Sequence, residues 1–243
     1  EFAGYQGAIR LLDEQIGRIL ETLEDTGLAK NTLVIMTADH GSPFPRAKCS
    51  LYDPGLQVPL ILRDPQCALE AGTVRSEMIS NVYYLPTILE LLGLPVPERV
   101  QGRSFAPLLR GGAYQRRQEI FAEMTYHDYC DPRRCVRLET HKLIVNFTSA
   151  PAFMNPSQLY YPKSITKVPP DPAGAYHPPV ELYDLVEDPW EQRDLAEDEG
   201  QREIRRGLLD TLYSWMVETD DPLLHGIPNS PMHKAAMKAL RGD

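Results

Sequence analysis

Residues 37–48, TADHGSPFPRAK, bring together three side chains with metal-binding and anion-binding chemistry. Asp39 and His40 are both competent ligands for a divalent cation, and a carboxylate oxygen is a usual donor to Ca²⁺ or Mg²⁺. Lys48 is a compact cation suited to an oxyanion, and Gly41 lets the backbone turn sharply. The alternative is a polar turn at a strand end, with a capping Asp39 and a surface His40. The pattern alone leaves both interpretations open.

The elements before this segment predict how it is positioned. Residues 5–26 carry apolar side chains at steps of three and four, which indicates a helix, and Gly27 stands where a C-terminal cap is expected. The apolar, β-branched run 32–38 predicts a strand buried on both faces, and 58–63 predicts a second buried strand. Ligands of open α/β sheets collect at the carboxyl ends of strands, which is where Asp39 and His40 fall.

The rest of the chain indicates a change of architecture near residue 115. Patterns typical of helices cover 81–94 and 102–112. Strand-like runs follow in EIFAEMTY, CVRLETHKLIVNF and VELYDL, and an amphipathic helix is predicted over 200–217. The segment 149–180 is rich in proline and predicts a long irregular connection. We therefore predict two domains, 1–115 and 116–243.

Composition excludes some classes of protein. The 243-residue chain has a formal net charge of −9, which argues against a nucleic-acid binder because a phosphate backbone needs a basic surface. No apolar run has the length of a membrane span. The four cysteines have no CxxC spacing and do not indicate a zinc site. The chain begins without Met, directly on a helical pattern, so we expect it to be the later part of a longer protein.

Two stretches together resemble the sulfatase family. A helix of this pattern leads into a strand ending in Asp-His-Gly, and the following AKCSLYDPGLQVPLILR places Lys48, Tyr52, Gly55 and Pro59 in the family's spacing. HKLIVN and ELYDLVEDPWEQRDLAED resemble the strands of the family's C-terminal subdomain. Within the family, GSPFPRAKCSLYDPG and SAPAFMNPSQLYYP are most similar to the sulfamidase branch, which cleaves N-sulfate from glucosamine.

The resemblance implies a fold and a set of roles. The fold would be the C-terminal part of a sulfatase-like α/β sandwich, with the metal and sulfate loop at 37–59, followed by a small α+β subdomain with an antiparallel sheet and a packed helix. Asp39 and His40 would be two ligands of one Ca²⁺ (or Mg²⁺), and Lys48 would contact the sulfate. The nucleophile, a formylglycine made from Cys in Cys-x-Pro-x-Arg, and the remaining ligands would lie in a missing N-terminal half.

Cys130 presents a possible exception, because CDPRR also matches Cys-x-Pro-x-Arg. Three observations indicate coincidence. Arg133 and His141 replace residues typical of the family, the motif follows the Asp-His-Gly loop instead of preceding it, and its context resembles a strand instead of a helix start. We therefore expect a thiol at position 130, free or bonded to Cys135.

Two further groups are candidates for substrate contacts. His127 and Asp128 begin the small subdomain, where the resemblance implies a loop that contacts the sugar, although a solvated polar loop is equally compatible. Arg133, Arg134 and Arg137 form a cationic cluster, for which a solvated face is favoured over a saccharide site.

The predicted function is a sulfuric ester or N-sulfate hydrolase acting on a sulfated saccharide or aryl sulfate, with this chain alone inactive. One alternative is a phosphonate monoester or phosphodiester hydrolase of the same alkaline-phosphatase-like superfamily. Another is a non-catalytic, glycan-binding fragment. Family members are often periplasmic, secreted or lysosomal, and a bacterial origin is suspected, but the sequence predicts no compartment.

Overall fold

The protein is described by a computed structural model that covers residues 2–67, 70–127, 130–148, 177–226 and 238–241. The described residues divide into two compact units. The first unit holds the chain up to Asp39 together with residues 58–117. The second unit holds residues 40–57 and the described residues from Gln118 onward.

The first unit combines helices with a short two-stranded sheet. Its elements are α1 (Phe2–Asp25), β1 (Val34–Thr37), β2 (Leu60–Arg63), α3 (Tyr84–Leu91) and α4 (Ala106–Leu109), with 3₁₀ turns at Leu28–Asn31 and Asn81–Tyr83. β1 and β2 pair antiparallel. The helices and strands predicted for this part of the sequence are therefore confirmed, and all except α1 are shorter than the patterns suggested.

A small core lies under the second half of this unit. Tyr83, Phe105, Leu108 and Leu109 are buried there, and Leu60 and Leu62 of β2 pack against them. Inside the core, the Thr87 hydroxyl donates to the Tyr83 carbonyl at 2.6 Å and accepts from the Phe105 amide at 3.0 Å. Because the Thr87 hydroxyl both donates and accepts a hydrogen bond, these bonds offset the cost of removing it from water.

Helix α1 leaves its apolar stripe exposed. It forms as the periodicity predicts, and Gly27 follows it in the left-handed conformation with φ of 74°. However, none of its residues is buried, and Leu12 and Ile19 of the apolar stripe are more than half exposed. The expectation that strand 32–38 is buried on both faces is wrong, since β1 is only partly buried and Thr37 is exposed. A helix and two strands do not bury one another's apolar faces here.

The second unit is built on a four-stranded antiparallel meander. The strands are β3 (Glu119–Tyr126), β4 (Cys130–Leu138), β5 (His141–Asn146) and β6 (Val180–Asp184), paired in the order β3-β4-β5-β6. This unit also holds the one-turn helix α2 (Asp53–Leu56). Helix α5 (Arg202–Glu218) and 3₁₀ turns at Glu199–Gln201 and Pro222–His225 follow the sheet. The predicted antiparallel sheet and packed helix are confirmed. The proline-rich connection 149–180 lies almost wholly outside the described residues.

This sheet has two buried faces, which follow from the alternation of side chains along each strand. One face packs against α5, and its core contains Val136, Leu143, Leu182, Leu208 and Leu212. The residue adjacent to each of Val136, Leu143 and Leu182 faces the other way. Cys135, Ile144 and Tyr183 therefore form a second core with Leu51 and Tyr52. Residues 40–57 therefore cover the face of the sheet that α5 leaves open.

None of the helices in the described part of the chain combines the length and apolar character needed to cross a membrane.

Candidate functional site

The loop 40–57, which carries His40 and Lys48, closes on itself through its two glycines. The Gly41 amide donates to the Gly55 carbonyl at 2.9 Å. A Cβ on Gly41 would lie 1.8 Å from the Pro54 carbonyl oxygen, and one on Gly55 would lie 2.3 Å from the Ala47 carbonyl oxygen. Only glycine permits such close approach of two backbone segments. The glycines of DHG and YDPG thus hold the two ends of the loop together.

Tyr52 attaches this loop to β6 through a buried carboxylate. The Tyr52 hydroxyl donates to Glu181 at 2.7 Å, and Tyr183 donates to the same oxygen at 2.7 Å. Asn146 and His177 contact the other oxygen of Glu181 at 2.8 and 3.1 Å. Burial alone would raise the pKa of Glu181, but these hydrogen bonds to its charged form outweigh burial and bring the pKa to about 2.

Asp53 attaches the loop to β4 and β5 through two cations. Arg137 donates to both carboxylate oxygens of Asp53, with contacts of 2.9 to 3.3 Å, and Lys142 Nζ lies 2.6 Å from Oδ1. Burial opposes ionisation of Asp53, but the hydrogen bonds from Arg137 and the charge of Lys142 outweigh it and hold the pKa of Asp53 below its usual value. Asp53 is therefore ionised throughout the neutral range.

The predicted ligands and cation lie on or beside this loop. His40 is exposed, and its Nδ1 lies 2.9 Å from the Gly41 carbonyl oxygen. Lys48 is half-buried, and its amide donates to the Ser42 carbonyl at 3.0 Å, so the two residues belong to one ordered loop. Asp39 is exposed at the end of the first unit. That Asp39, His40 and Lys48 share a pocket stays a prediction.

Within the described ranges, no group of three or more His, Cys, Asp or Glu side chains is gathered as a metal cage. Asp39 and His40 nevertheless supply one carboxylate and one imidazole at the end of a strand. Both are exposed, so neither donor is enclosed by the chain. This donor set fits part of the shell of a divalent cation, because Ca²⁺ takes six to eight ligands.

The remaining candidates fall at one end of the second unit's sheet. His127 is exposed in the bend that follows β3, and Asp128 lies outside the described residues. Cys130 is the exposed first residue of β4, as the strand-like context predicts. Cys130 and Cys135 are both free, and five residues of strand separate them by roughly 16 Å, beyond the reach of a disulfide. The Cys130–Cys135 disulfide is therefore excluded, and an unmodified thiol at position 130 stays a prediction.

The expectation of a solvated arginine face is wrong. Arg133 and Arg134 are buried, Arg133 pairs with buried Asp131, and Arg134 lies 2.5 and 3.1 Å from the two oxygens of Asp221. A charged residue is buried only with a partner, so these arginines organise the sheet.

Sequence reasoning also missed Glu181 and Glu191, which hold the loop. The available signal for Glu181 was an acid within the otherwise apolar start of β6, whereas Glu191, in a turn beyond β6, offered none.

Known proteins resemble this chain in sequence and in fold. A protein-family model described as "Sulfatase" matches residues 1–94. An ulvan-active sulfatase of Formosa agariphila is 32% identical over 93% of this chain and 46% of its own length. The human N-sulphoglucosamine sulphohydrolase is 28% identical over 91% of this chain and 49% of its own length. The chain belongs to the sulfatase family.

This sulfatase-family chain spans about half the length of the curated relatives it matches. Its fold is that of solved sulfatase structures. A structure in complex with its substrate D-glucosamine-2-N,6-O-disulfate aligns with a TM-score of 0.67 and 23% identity, over 86% of this chain and 39% of that chain. The phosphonate monoester hydrolase of Silicibacter pomeroyi aligns with a TM-score of 0.64 and 24% identity, over 87% of this chain and 40% of that chain.

Proposed function

We propose that this chain is part of an enzyme that hydrolyses sulfate esters or N-sulfates of saccharides. The observation that carries the proposal is the loop 40–57, which presents His40 and Lys48 from a rigidly held backbone directly after the carboxylate of Asp39. The relatives are an ulvan-active sulfatase and an N-sulphoglucosamine sulphohydrolase, both named for sulfated saccharides. The choice between O-sulfate and N-sulfate is left to the assay below.

Asp39 and His40 are the proposed protein ligands of a Ca²⁺ or Mg²⁺ ion. Such an ion, when bound, would supply a Lewis acid for a sulfate oxygen and offset the charge that develops on it. The remaining ligands, and the proposed formylglycine nucleophile, would come from residues outside this sequence.

Lys48 is the proposed cation for the sulfate group. Its ammonium would neutralise charge as the S–O or S–N bond breaks, and a charge fixed in advance where charge develops costs no reorganisation during the reaction. The proposed contacts with the sugar are His127, exposed beyond β3, and its neighbour Asp128.

The proposal is tested by Lys48→Ala in the full-length gene product that contains this sequence. The assay follows hydrolysis of 4-nitrophenyl sulfate and N-sulfoglucosamine with added Ca²⁺ or with EDTA. We expect Lys48→Ala to lower kcat about 10²–10³-fold, the usual loss when one electrostatic stabiliser of a transition state is removed. Lys30→Ala changes another, exposed lysine and serves as the matched control. Equal rates in the two variants would contradict the role of Lys48.

A second candidate is a phosphonate monoester hydrolase, favoured by the likeness of fold to the Silicibacter pomeroyi enzyme. Both reactions use a metal and a cation on a tetrahedral anion, so this chain's proposed residues suit either. Phenylphosphonate monoester as a parallel substrate separates them. A kcat/KM on the phosphonate far above that on both sulfates would replace the first proposal with the second. Sulfated-glycan binding without any turnover would favour the glycan-binding alternative.

A further inference from the structure

Glu191 is a completely buried acid in a turn beyond the end of β6. Its backbone adopts φ of 54°, in the left-handed region that is unfavourable for residues other than glycine. Such a conformation persists only where the surrounding contacts over-determine it. Its amide donates to the Asp188 carbonyl within the turn at 3.0 Å, and its other contacts described below lead to the loop 40–57 or to the sheet beneath it.

Two atoms of Glu191 hold the loop on either side of Lys48. The Glu191 carbonyl accepts from the Arg46 guanidinium, two residues before Lys48. Side-chain Oε2 accepts from the Asp53 amide at 2.6 Å, five residues after Lys48. Arg46 is itself fixed, because its guanidinium lies 3.9 Å from the centroid of the Tyr52 ring. Glu191 therefore contacts the loop both before and after Lys48.

The second carboxylate oxygen of Glu191 contacts the sheet. Oε1 lies 2.7 Å from Nζ of Lys142, a fully buried lysine of β5, and the same Nζ lies 2.6 Å from Asp53. Lys142 therefore joins two carboxylates, one from the turn and one from the loop. A buried charge arrangement of this kind fixes geometry, because each member is costly to leave unpaired.

We propose that Glu191 is a positioning residue that, through Arg46, Asp53 and Lys142, sets the place of Lys48. This inference rests on the proposed function for its catalytic consequence, but its structural consequence can be measured without turnover. Glu191 touches no substrate in this account. It acts by holding the backbone from which the ammonium of Lys48 is presented.

The test compares Glu191→Gln with the exposed control Glu187→Gln by hydrogen exchange of the 243-residue chain. In Glu191→Gln we expect amides of residues 40–57 to exchange at least tenfold faster, with exchange in β3–β6 unchanged. Glu187→Gln should leave both regions as they are. Equal protection of the loop in the two variants overturns the proposal.

A double variant separates positioning from folding. Glu191→Gln with Lys142→Met leaves no unpaired buried charge at these two positions, so we expect exchange in β3–β6 to stay unchanged while loop exchange stays raised. If the double variant restores loop protection, Glu191 acts only by neutralising Lys142, and the proposal is wrong.

In the full-length gene product, Glu191→Gln is expected to lower kcat for a sulfate substrate by 10–100-fold. Glu187→Gln is expected to keep it. A loop that loosens while kcat is retained refutes the catalytic consequence of the inference. Absence of sulfatase turnover in the unmodified protein refutes the proposed function and leaves the exchange result to decide the structural claim.

Discussion

The two units of the chain bury their apolar surfaces to very different degrees. In the second unit the four-stranded sheet is covered on one face by α5 and on the other by the loop 40–57. In the first unit α1 has no buried residue, and Ile61 on the outer side of β2 is 61% exposed. Outside the small core around Tyr83 and Phe105, α1 and this side of β2 stay exposed, and a two-stranded sheet alone encloses little core. We infer that the second unit stabilises itself and that the first leaves apolar surface available for further packing.

The largest expected difference between the units is in their ion pairs. Lys142→Ala leaves Glu191 buried without its cation and should lower the free energy of unfolding by about 3–5 kcal/mol. Arg10→Ala removes an exposed pair with Glu14 in α1 and should change it by less than about 0.5 kcal/mol. Urea unfolding followed by far-UV circular dichroism and tryptophan fluorescence measures both. Similar losses in the two variants would refute the contrast.

A matched pair of leucines tests the contrast in apolar packing. Leu212 of α5 is 2% exposed and Leu12 of α1 is 51% exposed. Leu212→Ala should lower the free energy of unfolding by about 2–5 kcal/mol because it removes buried methyl groups and leaves a cavity. Leu12→Ala should cost less than about 0.5 kcal/mol and should reduce aggregation, since it shrinks an exposed apolar stripe. A costly Leu12→Ala would show that α1 packs as a core helix.

The attachment of the loop to the sheet should depend on pH through Glu181. Its pKa is lowered from 4.5 to about 2, so its contribution is fully present above the unfolded value and is lost as the pH falls from about 5 towards 2. The difference corresponds to about 3 kcal/mol. Glu181→Gln should lack this part of the acid sensitivity, because an amide at this position does not titrate. Parallel pH profiles for the two proteins would contradict the assigned role of Glu181.

The smallest expected effect concerns Cys130. This residue is exposed at the start of β4, whereas Cys135 is buried and burial raises the pKa of its thiol to about 12. Iodoacetamide should therefore modify Cys130 and spare Cys135 in the folded protein. Cys130→Ser should change the free energy of unfolding by less than about 0.5 kcal/mol. Mass spectrometry of the peptides checks the modification, and urea unfolding checks the stability. A formylglycine at position 130 would overturn the interpretation of this motif as an unmodified strand start.

The sequence predicts the secondary structure of this molecule well and the contacts between distant residues poorly. The strands β3–β6 and helix α5 follow from local periodicity, which is a property of short segments. The glycines of the loop 40–57 were recognised through family spacing, and their physical reason is the contact of Gly41 with Gly55.

Periodicity does not predict which side chains contact one another across strands. Glu181, Glu191 and Lys142 are separated along the chain, and each alone is typical of a solvated face. Arg133 and Arg134 were misjudged for the same reason, because their partners, Asp131 and Asp221, become adjacent only in the fold. The exposure of α1 likewise depends on what packs against it, which its own amphipathic pattern does not state.

The central claim is that this chain supplies metal-binding and sulfate-binding groups but no nucleophile of its own. The most direct measurement is hydrolysis of 4-nitrophenyl sulfate and N-sulfoglucosamine by purified 243-residue chain with added Ca²⁺. We predict no turnover above the uncatalysed rate, because residues that act as one catalytic unit lose nearly all activity when one is missing. Measurable hydrolysis that disappears in Asp39→Ala would contradict the claim, and Cys130 would then be the first residue to examine.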